Sequence, residues 1–476
     1  MNTPGASQRG MPANTSESGE PAAKAPLERS LGRFDATMLV MGGIIGAGIF
    51  MNPSVVARAV GTPSLILLAW VLGGSIALAG AFVYAELAVW RPAVGGQYVY
   101  LRDAFHPLVA FLYGWTLLLV VQTGGMAAVA VTFASYFRDL AGIAAAPAWI
   151  AVVTLGVLTV VNCFGARAGS TVQSTFMVMK IAALLMLVTL GWLGVRGGEP
   201  PPLPPAAAGL EPGRGMLLAL GAAMVPVLFA YGGWQTASFV SGEMRAPERD
   251  LPWGLVLGVL GVVVLYIAVN AVCLAVLGAE GLAATNTPAT EVMRRALGPT
   301  GAQLIAGGIA LSTIGFLSQS MLTAPRVYFA MARDGLFFPQ VGRVSARTRA
   351  PVIAVALQGT LASVIAVSGA YEQILNYVVS IDALFFGLTG AALLVFRRRE
   401  RGGAATRGAS GVRMPGHPVT TAIFSLAFLA LALNTVVQFP RSAGIGVGIL
   451  LAGVPAYWAW VKFGPRGSRQ DRASDA

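Results

Sequence analysis

Residues 41–50 read Met41-Gly42-Gly43-Ile44-Ile45-Gly46-Ala47-Gly48-Ile49-Phe50, four glycines set into an apolar stretch long enough to cross a bilayer. Each glycine in a helix interior costs about 1 kcal/mol relative to alanine, so the cluster predicts a break near mid-span. At that depth an unpaired N–H or C=O is tolerated only where protein or a water-filled cavity covers it. The stretch therefore points to a polar site inside the membrane. A packing reading competes with it, because Gly42-x-x-x-Gly46 also fits the small-xxx-small pattern of close helix pairs. A nucleotide-binding glycine loop does not, since it needs an alternating strand–helix context that this chain lacks.

The composition surrounding this stretch is that of a membrane protein. Of 476 residues, 56% are hydrophobic and only 11% charged, against roughly 25% charged in soluble domains. Charge-poor windows give twelve candidate spans, at about 36–57, 64–90, 107–137, 147–166, 170–195, 216–242, 252–279, 300–325, 351–371, 374–396, 418–438 and 442–461. Each reaches roughly the 20 residues that a hydrocarbon core requires. Residues 1–34 are rich in Ser, Pro, Gly and Ala with no apolar core, and read as a disordered cytoplasmic tail, not a signal peptide.

About three quarters of the 32 Lys and Arg residues fall on one side of the membrane if the N-terminus is inside. Both termini are accordingly expected in the cytoplasm of a plasma (inner) membrane protein. The same bias accounts for the net charge of +12, with Arg397-Arg398-Arg399 directly after the tenth span, and no nucleic-acid partner is expected. Cys163 and Cys273 lie in or beside apolar spans, and no loop carries a Cys-x-x-Cys or a histidine pair, so neither a disulfide framework nor a metal site is expected. The two histidines, His106 and His417, sit far apart at span edges, which leaves an intramembrane hydrolase without a nucleophile–base pair. No cofactor and no enzymatic activity are expected.

A second interruption follows in the sixth span. Pro226 removes a helical hydrogen bond, and Phe229-Ala230-Tyr231-Gly232-Gly233-Trp234 follows with a glycine pair, five spans after the first break. Interruptions at corresponding positions of two halves are the sequence mark of a transporter built from inverted repeats, with its site between them. Half-helix N-termini present free N–H groups and half-helix C-termini free carbonyls, which together complement a carboxylate and an ammonium. A free amino acid carries both.

These residues also resemble the amino acid, polyamine and organocation permeases, and within them the L-type amino acid transporter branch. The resemblance runs over about residues 30–465. It is carried by Gly43 to Phe50, by Tyr84-Ala85-Glu86-Leu87 leading to Gly95-Gly96-Gln97-Tyr98, by Phe229 to Trp234 and by Met331-Ala332-Arg333-Asp334-Gly335. It implies an all-α membrane fold of twelve transmembrane helices. In that fold a five-plus-five inverted repeat has helices 1 and 6 broken, and two further helices stand at the C-terminus. In domain terms this gives a tail (1–34), a first half (35–196), an external loop (197–215), a second half (216–396), a basic cytoplasmic loop (397–417), helices 11 and 12 (418–462) and a cytoplasmic tail (463–476).

The resemblance also implies roles. The amides of Gly46, Ala47 and Gly48 receive the substrate carboxylate, carbonyls of Ile44, Phe229 and Gly232 receive the ammonium, and Phe229 gates the occupied site. Ala230, Trp234 and Gln235 complete the expected substrate wall, with Ser238, Gln122, Gly125, Ser312 and Phe316 as further selectivity or pathway candidates. Ala47 departs from a hydroxyl residue found in several members. No cysteine lies between Arg138 and Pro147, where animal members join an ancillary glycoprotein, so no disulfide-linked subunit is expected.

Three charged side chains fall within the spans. A mid-membrane lysine costs roughly 2.5–3.5 kcal/mol on insertion scales and must be compensated. Lys180 is expected to reach the carbonyls of the broken first helix, where its ammonium would replace the sodium of coupled relatives and serve coupling. For Asp382, substrate contact, a backbone donor partner and the aqueous pathway stay open. Glu86 is expected to pair with Arg91 or Arg102 in the loop that follows it, and Glu243 to be a gate residue or a helix end. The combined reading is a sodium-independent exchanger of amino acids, neutral ones for want of mid-membrane carboxylates other than Asp382, working by alternating access. Proton-coupled symport, a cationic amino acid or polyamine permease, and a membrane sensor are the alternatives.

Overall fold

The computed structural model describes residues 27–196, 215–368, 371–403, 412–438 and 440–463. The tail up to residue 26, the loop 197–214, residues 404–411 and the tail from 464 lie outside the described residues, and with them most of the expected tails and external loop. The described chain is all-helical, with a single isolated bridge between Leu31 and Met244 and no strand among these residues. Among the described residues nine helices are long and apolar enough to cross a membrane, ten if the bent pair at the start counts as one span, and two shorter apolar helices, Pro147–Cys163 and Val352–Ser368, accompany them.

Proline opens many of these helices, at Pro63, Pro107, Pro147, Pro247, Pro288 and Pro325. At the first helical position its missing N–H has no intrahelical partner to lose and its fixed φ suits the helix. The helix Pro147–Cys163 shows how the bundle meets lipid. Trp149, Val153, Val157 and Val160 recur every three or four residues and are between 57% and 65% exposed, a lipid-facing apolar stripe. Polar side chains such as Asn270, Gln319 and Gln358 are instead fully buried, because a polar group meeting hydrocarbon has no partner.

The first span consists of Arg33–Ile44 and Gly48–Val60, which meet at 44°. Arg33–Ile44 starts where Asp35 accepts the Gly32 N–H at 2.9 Å, and the other carboxylate oxygen of Asp35 accepts from Ser170 at 2.9 Å. The sixth expected span is interrupted too, though not by a sharp bend. Its α-helix Met216–Tyr231 ends at an extended Gly232, Gly233 turns left-handed at φ +105°, and a ten-residue 3-10 helix runs from Trp234 to Glu243. Such a length is unusual for 3-10 geometry and marks a segment held by its surroundings. Pro226 lies inside the α-helix, so the break belongs to the glycine pair.

One end of the bundle is tied together by ion pairs. Arg326 and Glu243, both fully buried, meet at 2.6 and 3.3 Å. Leu31 donates to the Glu243 carbonyl at 3.1 Å and accepts from Arg245 at 2.9 Å. Tyr98 and Arg102 both donate to Asp334. Glu86 is also an ion-pair residue, but its partner is not in the following loop. Arg397, 311 positions on, reaches its two oxygens at 2.6 and 2.8 Å and the Met414 amide donates at 2.7 Å, while Arg91 pairs with Asp103. The tenth span returns beside the second, which brings Arg397 to a carboxylate that Arg91 and Arg102 face away from. Glu243 thus stands at a helix end and in a buried pair.

Candidate functional site

The two breaks cross. A methyl group added at Gly43 would lie 2.5 Å from the Gly233 carbonyl oxygen, and one at Gly233 would lie 2.1 Å from the Gly43 oxygen. Only glycines permit that approach, and Gly233 needs its positive φ besides. The half-helices Gly48–Val60 and Met216–Tyr231 are joined separately by Asn52, whose amide donates to the Pro226 carbonyl at 2.8 Å.

Beside the crossing lies a cavity of about 170 Å³. Its walls include Gly43, Ile44, Gly46, Ala47 and Gly48 from the first span, and Phe229, Ala230, Gly232, Gln235 and Thr236 from the second break. Gln122, Gly125, Phe316, Gln319, Ser320, Asp382, Phe386 and Phe428 complete it from neighbouring helices. Most expected site residues therefore share one cavity. Trp234 does not join them. It is fully buried behind the wall, stacked on Phe386 at a ring distance of 4.9 Å. Ser238 is buried and donates to the Gln235 carbonyl. Ser312 lies behind the first break, 3.3 Å from the Gly46 carbonyl.

Among the described residues the amides of Gly46 and Ala47 have no backbone acceptor, and Gly48 opens the next half-helix. Free N–H groups at a helix N-terminus favour an anion. Space is available there, because the nearest atom to a methyl group at Gly46 would be the Phe316 ring at 3.7 Å. The carbonyls are shared out unevenly. Ile44 accepts from the Tyr266 hydroxyl at 3.1 Å and Phe229 from the Gly232 amide at 3.1 Å, each leaving one lone pair. Phe229 itself is 46% exposed beside the cavity.

Lys180 is fully buried in the helix Ala166–Arg196 and donates to the Ile45 carbonyl at 2.6 Å and to the Gly42 carbonyl at 3.3 Å. These oxygens are orphaned by the break, and a cation satisfies both. Gly315 makes room for it, since a methyl group there would meet the Lys180 side chain at 2.6 Å. Gln122 follows a π-helical turn, Leu117–Val121, which sets the third span's register toward the cavity. Asp382 lines the cavity and is half-buried. Among the described residues no cluster of His, Cys, Asp and Glu could hold a metal ion.

Thr236, Gln319, Ser320, Phe386 and Phe428 were not among the expected residues. The signal for two of them was available in the run Ser318-Gln319-Ser320, polar residues inside an otherwise apolar span.

Comparison with known proteins matches the amino acid permease family model over residues 31–460. The chain is 30% identical to the large neutral amino acids transporter small subunit 2 of Homo sapiens, an alignment covering 94% of this chain and 83% of the relative. It is 31% identical to the serine/threonine exchanger SteT of Bacillus subtilis (strain 168), covering 92% and 98%. With the Asc-type amino acid transporter 1 of Mus musculus it shares 28% over 92% and 82%.

Proposed function

Because the chain belongs to the amino acid permease family, we propose that it moves neutral amino acids across the plasma membrane by sodium-independent exchange, both termini lying in the cytoplasm. Amino acid transport itself is the business of its relatives, which are transporters and not enzymes. The observation that carries the finer reading is the pairing at the crossing, where unaccepted amides of Gly46 and Ala47 share a cavity with carbonyls of Ile44 and Phe229. An α-carboxylate on the amides and an α-ammonium on the carbonyls would neutralise each other within one ligand. Side chains of the remaining wall would then choose among amino acids.

Sodium independence is supported by Lys180, whose ammonium occupies the carbonyls of Gly42 and Ile45, where it would take the place of a metal ion. Counting the two shorter apolar helices as spans gives twelve, consistent with a five-plus-five inverted repeat and two added helices. The end tied by Arg326–Glu243 and Asp334–Arg102 would be the closed cytoplasmic side, and the exposed Phe229 ring a gate not yet shut. No cysteine stands between Arg138 and Pro147, so a disulfide-linked ancillary subunit is not part of this reading. Exchange is favoured by the relative named an exchanger. Proton symport through Lys180 is the second reading, favoured by a buried ammonium held by carbonyls, with no carboxylate beside it among the described residues.

Uptake of radiolabelled neutral amino acids into proteoliposomes tests both readings, with and without internal amino acid and with and without an inward proton gradient. Dependence on internal amino acid supports exchange. Uptake into empty vesicles that rises with the gradient replaces exchange by symport, and a requirement for sodium overturns the role given to Lys180.

A further inference from the structure

We infer that Gln319 forms, with Gln235, a polar subsite that selects amino acids whose uncharged side chain carries a hydrogen-bond donor, a hydroxyl or a carboxamide. The inference rests on the transport reading and adds the substrate class to it. Its basis is the assignment of protons around Thr236. The Thr236 hydroxyl lies 2.7 Å from the Gly233 carbonyl oxygen, which can only accept, so the hydroxyl proton is committed there. Gln319 lies 2.6 Å from the same hydroxyl oxygen, which now has only a lone pair to offer. The amide of Gln319 must therefore turn its nitrogen to Thr236 and its carbonyl oxygen away.

That oxygen, Oε1, is buried without a hydrogen-bond partner among the described residues, in a residue that lines the cavity. Gln235 lines the same cavity and is 2% exposed, and its Oε1 likewise has no partner among the described residues. A buried acceptor left unpaired destabilises the protein, and a ligand that supplies the missing donor removes that penalty. A methyl group in the same place leaves it standing. A site lined by acceptors thus discriminates strongly against isosteres lacking the donor, whereas an apolar wall separates them poorly. The rest of the wall, Phe316, Phe386 and Phe428, supplies contact without choosing between the two.

The test compares isosteric pairs as competitors of uptake in reconstituted protein: L-threonine against L-valine, and L-asparagine against L-leucine, with L-lysine as a third arm. Wild type is expected to favour the donor-bearing member of each pair by about tenfold or more. In Gln319→Leu each ratio should shrink to within about twofold, whatever the change in overall uptake. Unchanged ratios in a Gln319→Leu protein that still transports valine would overturn the inference, as would a wild-type preference for valine and leucine or for lysine. If Gln319→Leu does not fold, the wild-type ratios decide, together with Thr236→Val, which frees the Gln319 amide to turn and should lower them. Absence of uptake of any amino acid by wild type would count against the transport reading alone. Thermal stabilisation by threonine against valine would then still decide the subsite.

Discussion

The ammonium of Lys180 sits 2.6 Å from the carbonyl oxygen of Ile45, the residue at which the first half-helix ends. A buried cation and a broken helix each carry an unfavourable free energy alone. Together each supplies what the other lacks, so that a lysine stands at mid-membrane with no carboxylate partner among the described residues. Lys180→Met should keep most of the packing and remove the charge. Exchange is expected to fall at least tenfold while detergent-solubilised protein stays monodisperse, and normal flux would show that the ammonium only fills space.

Gly46→Val places a branched side chain where the nearest neighbour is the Phe316 ring. The fold has room for the first carbon and the ligand does not. Binding by scintillation proximity is expected to be lost with thermal stability changed by little. Retained affinity would remove the Gly46 amide from the site.

Gly233→Ala behaves differently, because its methyl group would press on the backbone oxygen of Gly43 and its φ of +105° is strained for any L side chain. Here the damage falls on the structure: the prediction is a large drop in melting temperature and in folded yield, well beyond that of Gly46→Val. Equal stability of the two variants would contradict the crossing described above.

Removing one member of the Arg326–Glu243 pair leaves a buried charge alone, which typically costs about 3–5 kcal/mol. Arg326→Met and Glu243→Gln should each destabilise strongly. The double variant should lose less than the sum of the two, a comparison readable from thermal melts of all four proteins.

How much of this could be read in the sequence depends on chemistry that is local. Glycine marks a break wherever it clusters, so the interruptions at Gly46 and at Gly232-Gly233 were legible, and so was the reach of Lys180, since its burial admits few partners. The direction of a side chain around a helix was less legible. Trp234 follows the break directly, yet the 3-10 turn carries it behind the wall onto Phe386, while Thr236 faces the cavity. Other long-range partners were not legible. Glu86 has two arginines within sixteen positions and pairs with one 311 positions away, and the run Ser318-Gln319-Ser320 marks a polar stretch without saying that Gln319 reaches Thr236.

Where the two interrupted spans cross, neither chain interposes a side chain, and the half-helices Gly48–Val60 and Met216–Tyr231 are separately fastened by Asn52 to the Pro226 carbonyl. The middle of the molecule is thus its thinnest joint, backbone against backbone, with levers of side-chain-clad helix on both sides. On the proposed transport reading, any tilting of the half-helices on one side of the crossing against those on the other would have its fulcrum there. On the same reading, a ligand seated at that joint would be displaced least by the swing, and the same few amides and carbonyls would hold it whichever mouth was open.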